Sequence, residues 1–184
     1  MFYEVDIAGM KRNLKLFHVA DDLQIAAFIL YGDVEITKHA AKELLARSPE
    51  FDIMLTSASK SIPLIYEMAS QAGKNEYIVA LKAQKVYMGE PLTADVDSIT
   101  TLQRQKIYIG EDDAAMMKGK RVLIVDDVIS TGNSLKALET LATKSGGEIV
   151  GKAAVLAEGD SYDRDDIIVL GKLPLFDGDG NIKG

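Results

Sequence analysis

The amino-acid sequence predicts an α/β fold in which helices flank a mostly parallel sheet. Short apolar runs alternate with segments whose apolar residues recur at helical spacing, and this alternation is typical of parallel sheets. The segment 121–126 is apolar until it ends in two acids, so we expect a central strand that is buried on both faces. The chain has 184 residues, of which 47% are hydrophobic, and this suits a single domain over residues 1–184.

The individual elements follow from local spacing and from glycine. Ala40, Leu44 and Leu45 share one face of a predicted helix, and Gly73 is expected to cap the next one. Gly146 ends a third amphipathic segment. In chain order we expect a helix over 36–47, a strand over 52–56, a helix over 62–72, strands over 76–81 and 121–126, a helix over 134–144 and a strand over 150–157.

Two parts of the chain lie outside this alternation. The segment 82–109 lacks helical periodicity, and we expect a long loop or a mobile β-ribbon there, a length that is usually functional in a compact domain. The segments of about 1–35 and 158–184 are expected to form a small subdomain near the edge of the sheet.

Composition and charge exclude several classes of function. A net charge of −7 argues against a general nucleic-acid binder. The absence of cysteine excludes disulfides and thiolate metal sites and fits a reducing cytoplasm. The N-terminal residues lack a signal-peptide pattern, and no apolar run is long enough to span a bilayer, so we expect a cytoplasmic protein without membrane contact. His18 and His39 lie apart from any metal-binding pattern and are assigned no role.

The segment after the central strand predicts a ligand with both a phosphate and hydroxyl groups. Asp126 and Asp127 are expected at the carboxyl end of the strand, where open α/β sheets bind ligands. Thr131, Gly132, Asn133 and Ser134 lead into a helix, whose free N–H groups and dipole favour phosphate. Carboxylates accept hydrogen bonds from hydroxyls, so the pair suits a ribose 5-phosphate.

Three alternatives compete for this segment: simple helix capping beside solvated acids, an NTPase loop and a receiver domain. The NTPase loop requires a G-x-x-x-x-G-K-[ST] pattern, which is absent. A receiver domain is expected to carry its acids near its N-terminus, whereas these lie two-thirds along the chain.

VLIVDDVISTGNS resembles the motif with which type I phosphoribosyltransferases bind phosphoribosyl pyrophosphate (PRPP), with Asn133 in place of the usual second glycine. The resemblance implies the family's fold, a twisted, mostly parallel sheet with a small hood subdomain and a long flexible loop. It also implies that Asp126 and Asp127 are catalytic residues at the ribose. The residues implied to bind the 5-phosphate are Ser130, Thr131, Gly132, Asn133 and Ser134.

Two further segments resemble the pyrophosphate-binding parts of the family. The turn after strand 52–56 corresponds to the family's pyrophosphate loop, and its lysine stands where adenine phosphoribosyltransferases usually have arginine. KAQK after the next predicted strand resembles the family's R-K-x-x-K segment, with leucine in place of arginine; surface lysines are the ordinary alternative. The implied pyrophosphate-binding residues are Ser57, Ala58, Ser59, Lys60, Lys82 and Lys85.

The N- and C-terminal segments resemble those of adenine and xanthine phosphoribosyltransferases. Adenine-type members tend to keep a Glu-Tyr pair in the flexible loop, where this chain has Gln103 and Arg104, and glutamine cannot transfer a proton. Phe28 or Phe176 is a candidate to stack on a base. The residues implied to contact the base are Val128, Glu158, Gly159 and Asp160.

The resemblance implies a purine phosphoribosyltransferase that uses Mg²⁺ and is a homodimer. Its substrates and products would be PRPP, a purine base, an AMP-like nucleotide and pyrophosphate, with adenine the first candidate and xanthine or guanine open. The substrate would hold most of the Mg²⁺ coordination, with Asp126 and Asp127 as the only candidate protein ligands. A PRPP-sensing regulator that acts through a protein partner is the alternative, and a pyrimidine such as orotate is a third.

Overall fold

The computed structural model describes residues 1–96 and 105–183, which form the predicted α/β fold. Its elements in chain order are β1 (Phe2–Ile7), β2 (Met10–Ala20), β3 (Leu23–Ala26), α1 (Val34–Arg47), β4 (Ile53–Ser57), α2 (Ile62–Gln71), β5 (Ile78–Ala80), β6 (Leu92–Val96), β7 (Gln105–Ile109), α3 (Glu111–Met117), β8 (Arg121–Ile129), α4 (Asn133–Lys144), β9 (Glu148–Glu158) and β10 (Ile168–Leu173), with short 3-10 turns at Val86–Met88 and Gly159–Asp163.

The central sheet has five strands in the order β10-β9-β8-β4-β5, and every neighbouring pair is parallel. Successive residues of its strands face opposite sides. Leu123 and Val125 of β8 pack with α1, α2 and the N-terminal strands. Val122 and Ile124 pack on the other side with α4 and the pair β6–β7. Burial on both faces is why β8 is apolar without alternation.

The strand β8 is longer than its apolar run indicates. It continues beyond the acids to Ile129, because Val128 pairs with Leu156 and Ile129 with Ala157 of β9. On its other side, pairing with β4 ends at Ile124. The acids therefore lie within the part of β8 that pairs with β9, but just beyond the part that pairs with β4.

The N-terminal strands form a separate antiparallel sheet, β1-β2-β3. It contacts the C-terminal part of the chain through hydrogen bonds from Ala8 N–H to the Leu170 oxygen and between the backbones of Gln24 and Phe176. One part of the expected hood differs, because β10 belongs to the central sheet, where it pairs with β9. The hood over about 1–35 and 158–184 stays a prediction with that correction.

The expected loop over 82–109 contains a β-ribbon, since β6 and β7 pair antiparallel from Leu92↔Ile109 to Val96↔Gln105. The ribbon packs on α4 through Ala94 and Ile107, and Lys144 of α4 donates to the Thr93 oxygen at 2.9 Å. Gln103 and Arg104 lie outside the described residues. Within residues 1–96 and 105–183, none of the helices is long and apolar enough to cross a bilayer.

Candidate active site

Asp126 and Asp127 form a buried acid pair near the carboxyl ends of β8 and β4. Their exposed fractions are 7% and 4%. β8 carries them past Ile124, the last residue that pairs with β4, and β4 itself ends at Ser57, shortly before α2. Two carboxylates in such a place are costly unless hydrogen bonds or cations compensate them.

Ser61, at the start of α2, compensates both acids. Its Oγ lies 2.6 Å from Asp126 Oδ1 and 3.2 Å from Asp127 Oδ1, and it accepts a hydrogen bond from Asp127 N–H at 3.0 Å. Asp127 N–H also donates to Asp126 Oδ1 at 2.9 Å. Ser61 itself is only 1% exposed, so this arrangement is shielded from water.

The two acids have different electrostatic surroundings. Burial raises the pKa of Asp126 to about 7, and the charge of Asp127 adds to the rise, whereas the hydrogen bond from Ser61 opposes it. Asp127 Oδ2 lies 3.3 Å from Lys60 Nζ, which is ion-pair distance, but makes no hydrogen bond among the described residues. Asp127 Oδ2 is thus a buried oxygen whose charge faces the Lys60 ammonium.

A cavity of about 370 Å³ lies beside the acids. It joins most of the predicted pyrophosphate loop to the acid pair, and Lys82 contributes to its wall. Lys85 does not line it and is exposed at the start of the 3-10 turn Val86–Met88. From outside the loop, Tyr31 Oη donates to Ser59 Oγ at 2.6 Å. The cavity is lined by Ser57, Ala58, Ser59, Lys60, Ser61, Lys82, Asp126, Asp127, Val128 and Ser134.

The turn between β8 and α4 forms a smaller hollow of about 90 Å³. Gly132 is the N-cap of α4 and has a φ of 79°, a left-handed conformation that glycine adopts without strain. The first N–H groups of a helix have no intrahelical partners, so this hollow favours an anion. It is lined by Asp126, Val128, Ile129, Ser130, Thr131, Gly132, Asn133, Ser134 and Leu135.

A third cavity, of about 420 Å³, lies between this turn and the segment after β9. Ser161 Oγ donates to the Ser130 carbonyl oxygen and fixes that segment against the turn. Arg164 is held by Asp166 through hydrogen bonds at 2.8 Å from both Nε and Nη2. The cavity is lined by Ser130, Thr131, Glu158, Gly159, Asp160, Ser161, Arg164 and Leu175.

The structure places together some of the residues that were predicted to contact the base and separates others from them. Glu158, Gly159 and Asp160 line the third cavity, whereas Val128 lines the first two. Phe28 and Phe176 are 5% and 2% exposed and pack in the core, so neither is presented to a ligand.

Sequence reasoning missed Ser61, Tyr31, Arg164 and Leu175. A serine before an apolar helix indicates an ordinary N-cap, so nothing in the sequence separated Ser61 from a structural role. Arg164 lies in an acidic stretch, DSYDRDD, whose charges predict solvated surface. Only the packing of this segment against the turn before α4 brings Arg164 to a cavity.

The carboxylate oxygens of the acid pair fit a metal ion that is coordinated mainly by the substrate. Among the side chains that the structure describes, no group of three or more His, Cys, Asp or Glu could hold a metal ion. Asp127 Oδ2 is nevertheless a buried oxygen without a hydrogen bond. Carboxylate oxygens of this kind suit Mg²⁺, which binds through one or two carboxylates plus substrate phosphates.

Comparison with known proteins gives consistent matches. Residues 33–174 match the phosphoribosyl transferase domain family. The chain is 36% identical over 124 residues to the adenine phosphoribosyltransferase of Bifidobacterium longum (strain DJO10A). That alignment covers 67% of this chain and 61% of that protein. It is 31% identical over 134 residues to the adenine phosphoribosyltransferase of Thermosipho africanus (strain TCF52B). That alignment covers 66% of this chain and 69% of the relative.

The fold is also similar to a solved structure, the adenine phosphoribosyltransferase of Saccharomyces cerevisiae in complex with an imino-altritol bisphosphate and adenine. The TM-score is 0.67 at 19% identity, with 85% of this chain and 92% of that chain covered. The match to the Bifidobacterium relative spans about three fifths of that protein's length.

Proposed function

We propose, from the premise that this chain belongs to the phosphoribosyl transferase domain family, that it is a purine phosphoribosyltransferase of purine salvage. It transfers ribose 5-phosphate from PRPP to a purine base and releases pyrophosphate. One observation carries the proposal: the buried acids Asp126 and Asp127 line the cavity that contains Lys60 and Lys82, and Asp126 also lines the hollow at the N-terminus of α4.

Each part of PRPP has a matching part of the site. The hollow formed by Ser130, Thr131, Gly132, Asn133 and Ser134 binds the 5-phosphate through backbone N–H groups. The Ser57–Lys60 loop binds the pyrophosphate through its amides and through the Lys60 ammonium, with Lys82 in the wall of the same cavity. Lys85 is a weaker candidate, since it lies outside that cavity.

Asp126 and Asp127 accept hydrogen bonds from the ribose hydroxyls. As the bond from the sugar to pyrophosphate lengthens, positive charge develops on the ribose, and a negative carboxylate nearby stabilises it. The protein's contribution is thus the alignment of base and sugar together with fixed charges.

Mg²⁺ is the proposed cofactor, held mainly by substrate oxygens and on the protein side by Asp126 and Asp127. When bound, it neutralises charge on the leaving pyrophosphate. No part of the proposal requires a dedicated metal cage.

The base occupies the third cavity, with Glu158, Gly159 and Asp160 at its edge. Carboxylates accept hydrogen bonds, which suits an exocyclic amino group such as that of adenine. The names of the Bifidobacterium and Thermosipho relatives support adenine as the first candidate. Arg164 lines the same cavity and can donate hydrogen bonds to a carbonyl oxygen, which xanthine and guanine have. Both bases are therefore included in the test.

The proposal includes a homodimer in the cytoplasm. Val86 and Tyr87 are fully and 74% exposed on the 3-10 turn that follows Lys85, and Tyr66 is 60% exposed on α2. The adjacent exposed side chains of Val86 and Tyr87 are the candidate apolar surface for contact with a second copy. Sedimentation of the purified protein tests this part, and a monomer at micromolar concentration would contradict it.

The decisive experiment is a panel of bases with PRPP and Mg²⁺, in which pyrophosphate release is measured. We expect release with adenine, and release with xanthine, guanine or orotate alone would overturn the choice of base. The substitution of the family glutamate by Gln103 favours one second candidate, a PRPP-sensing regulator. Tight PRPP binding without pyrophosphate release for any base would support that candidate instead.

A further inference from the structure

We propose that Ser61 is a positioning residue that holds the two acids in the geometry that PRPP requires. This inference rests on the proposed function, because it assigns a role within the same site. Ser61 was not among the residues that the sequence singled out, and it is only 1% exposed, at the wall of the cavity beside the acids.

The first support is that Ser61 does not cap its own helix. It is the N-cap residue of α2, a position where serine usually accepts a hydrogen bond from a backbone N–H in the first turn. Its side chain makes no such bond, and a proline stands at one of the first two helical positions. The hydroxyl is directed to the acids instead, at the expense of one capping bond.

The second support is the closed pattern of hydrogen bonds. The single hydroxyl proton of Ser61 is donated mainly to Asp126 Oδ1, at 2.6 Å, and its oxygen accepts from Asp127 N–H at 3.0 Å. Asp127 N–H also reaches Asp126 Oδ1 at 2.9 Å. These bonds fix the orientation of the Asp126 carboxylate and the backbone of Asp127, and they use the Oδ1 atoms. Asp127 Oδ2 is left without a hydrogen bond among the described residues.

The third support is the place of Ser61 in the chain. It follows directly after Lys60, whose ammonium lies 3.3 Å from Asp127 Oδ2. Ser61 therefore joins the end of the pyrophosphate loop to the acid pair. Loss of its hydroxyl should weaken the binding of PRPP, through both the ribose and the pyrophosphate, and should leave the third cavity unchanged.

Steady-state kinetics of Ser61→Ala test this role, with KM measured separately for PRPP and for the base. We expect the KM for PRPP to rise about tenfold, the change that corresponds to one hydrogen bond to a charged group. The KM for the base should change by less than about twofold, because Ser61 does not line the third cavity. Ser61→Thr keeps the hydroxyl and should restore the KM for PRPP.

The matched control is Ser145→Ala. Ser145 is another buried serine, 8% exposed, whose Oγ donates to the Leu141 oxygen at 2.8 Å, far along α4 from the acids. It should lose comparable stability and keep the wild-type KM for PRPP. If Ser61→Ala does not fold, Ser61→Cys replaces it, since a thiol of similar size is a weak donor.

Two results would overturn the inference: an unchanged KM for PRPP in an active Ser61 variant, or an equal rise in both KM values. If the wild-type chain releases no pyrophosphate with any base, the proposed function fails. Calorimetric titration of the wild type and the Ser61 variant with PRPP and Mg²⁺ then tests the role of Ser61 independently of catalysis, because it measures the affinity for PRPP directly. Equal affinities would contradict its role.

Discussion

At the scale of single residues, the two adjacent acids have different electrostatic properties. Asp127 has a lysine ammonium 3.3 Å away, whereas the pKa of Asp126 is raised to about 7 by burial and by its neighbour. Asparagine keeps the shape of either side chain and removes its charge. Substitution of one acid at a time therefore separates the effect of charge from that of packing.

Asp127→Asn should lower kcat/KM about 10²-fold, because a fixed charge beside the developing positive charge is lost in a site shielded from water. Pyrophosphate release is the measurement. Asp113→Asn is the control, since Asp113 is in the first turn of α3 and accepts from Gly110 N–H at 3.3 Å, outside the three cavities. A wild-type rate for Asp127→Asn would remove Asp127 from the catalytic site.

Gly132→Ala should raise the KM for PRPP about tenfold. A left-handed conformation costs about 1–2 kcal/mol for residues other than glycine, and a Cβ here would lie 2.9 Å from Arg164 Nη1. The control is Gly9→Ala, since Gly9 has a φ of 89° but no neighbour within 4 Å of its Cβ position. If both variants bind PRPP like the wild type, backbone strain at residue 132 does not matter for phosphate binding.

At the scale of elements, the sequence predicted the helices and strands that are long or apolar on both faces. It did not predict the elements that form only because they pair or pack with distant parts of the chain. β8 and α4 could be predicted because their patterns are local. β10 could not, since Gly171 and Lys172 interrupt its apolar run and only pairing with β9 makes it a strand. The seven-residue helix α3 has Met117 as its only fully buried residue. Among site residues the same limit applies to Ser61, whose partners are 65 and 66 positions away.

Gly171→Ala should destabilise the fold by about 2–3 kcal/mol, the upper part of the range for overpacking. A Cβ on Gly171 would overlap the backbone oxygen of Asp6, so β1 would have to move away from β10. Urea denaturation provides the measurement. Gly110→Ala is the control, because its Cβ would meet neighbours at 3.5 Å or more. Equal stability of the Gly171 variant and the wild type would mean that β1 can shift without loss of packing.

At the scale of the whole molecule, Asp52 and Asp126 make the free energy of unfolding depend on pH in opposite directions. The hydrogen bonds from Arg121 lower the pKa of Asp52 to about 2, so its contribution is present above the unfolded-state pKa and is lost as the pH falls through about 2. Asp126 behaves in the reverse manner. Its folded-state pKa of about 7 exceeds the ordinary aspartate value of 3.8, so its contribution is fully present below 3.8 and is lost as the pH rises through about 7.

Asp126→Asn should therefore gain stability relative to the wild type as the pH rises. The difference in unfolding free energy should grow between pH 3.8 and about 7 and level off above that range, because asparagine has no proton to lose. Urea denaturation across this range, with a chelator present, measures it. Parallel pH profiles for the two proteins would show that the pKa of Asp126 is not raised in the folded chain.

The contacts between the N-terminal sheet and residues 170–178 also determine the order in which the chain can fold during translation. Gln24 pairs with Phe176 through two backbone hydrogen bonds, and its side chain donates to the carbonyl oxygens of Asp177 and Gly178. These last two partners leave the ribosome 153 and 154 residues after Gln24 does. The side of β3 that meets Phe176 therefore stays uncovered until residues 176–178 have been synthesised, which exposes this strand to misassembly and to proteases in the nascent chain.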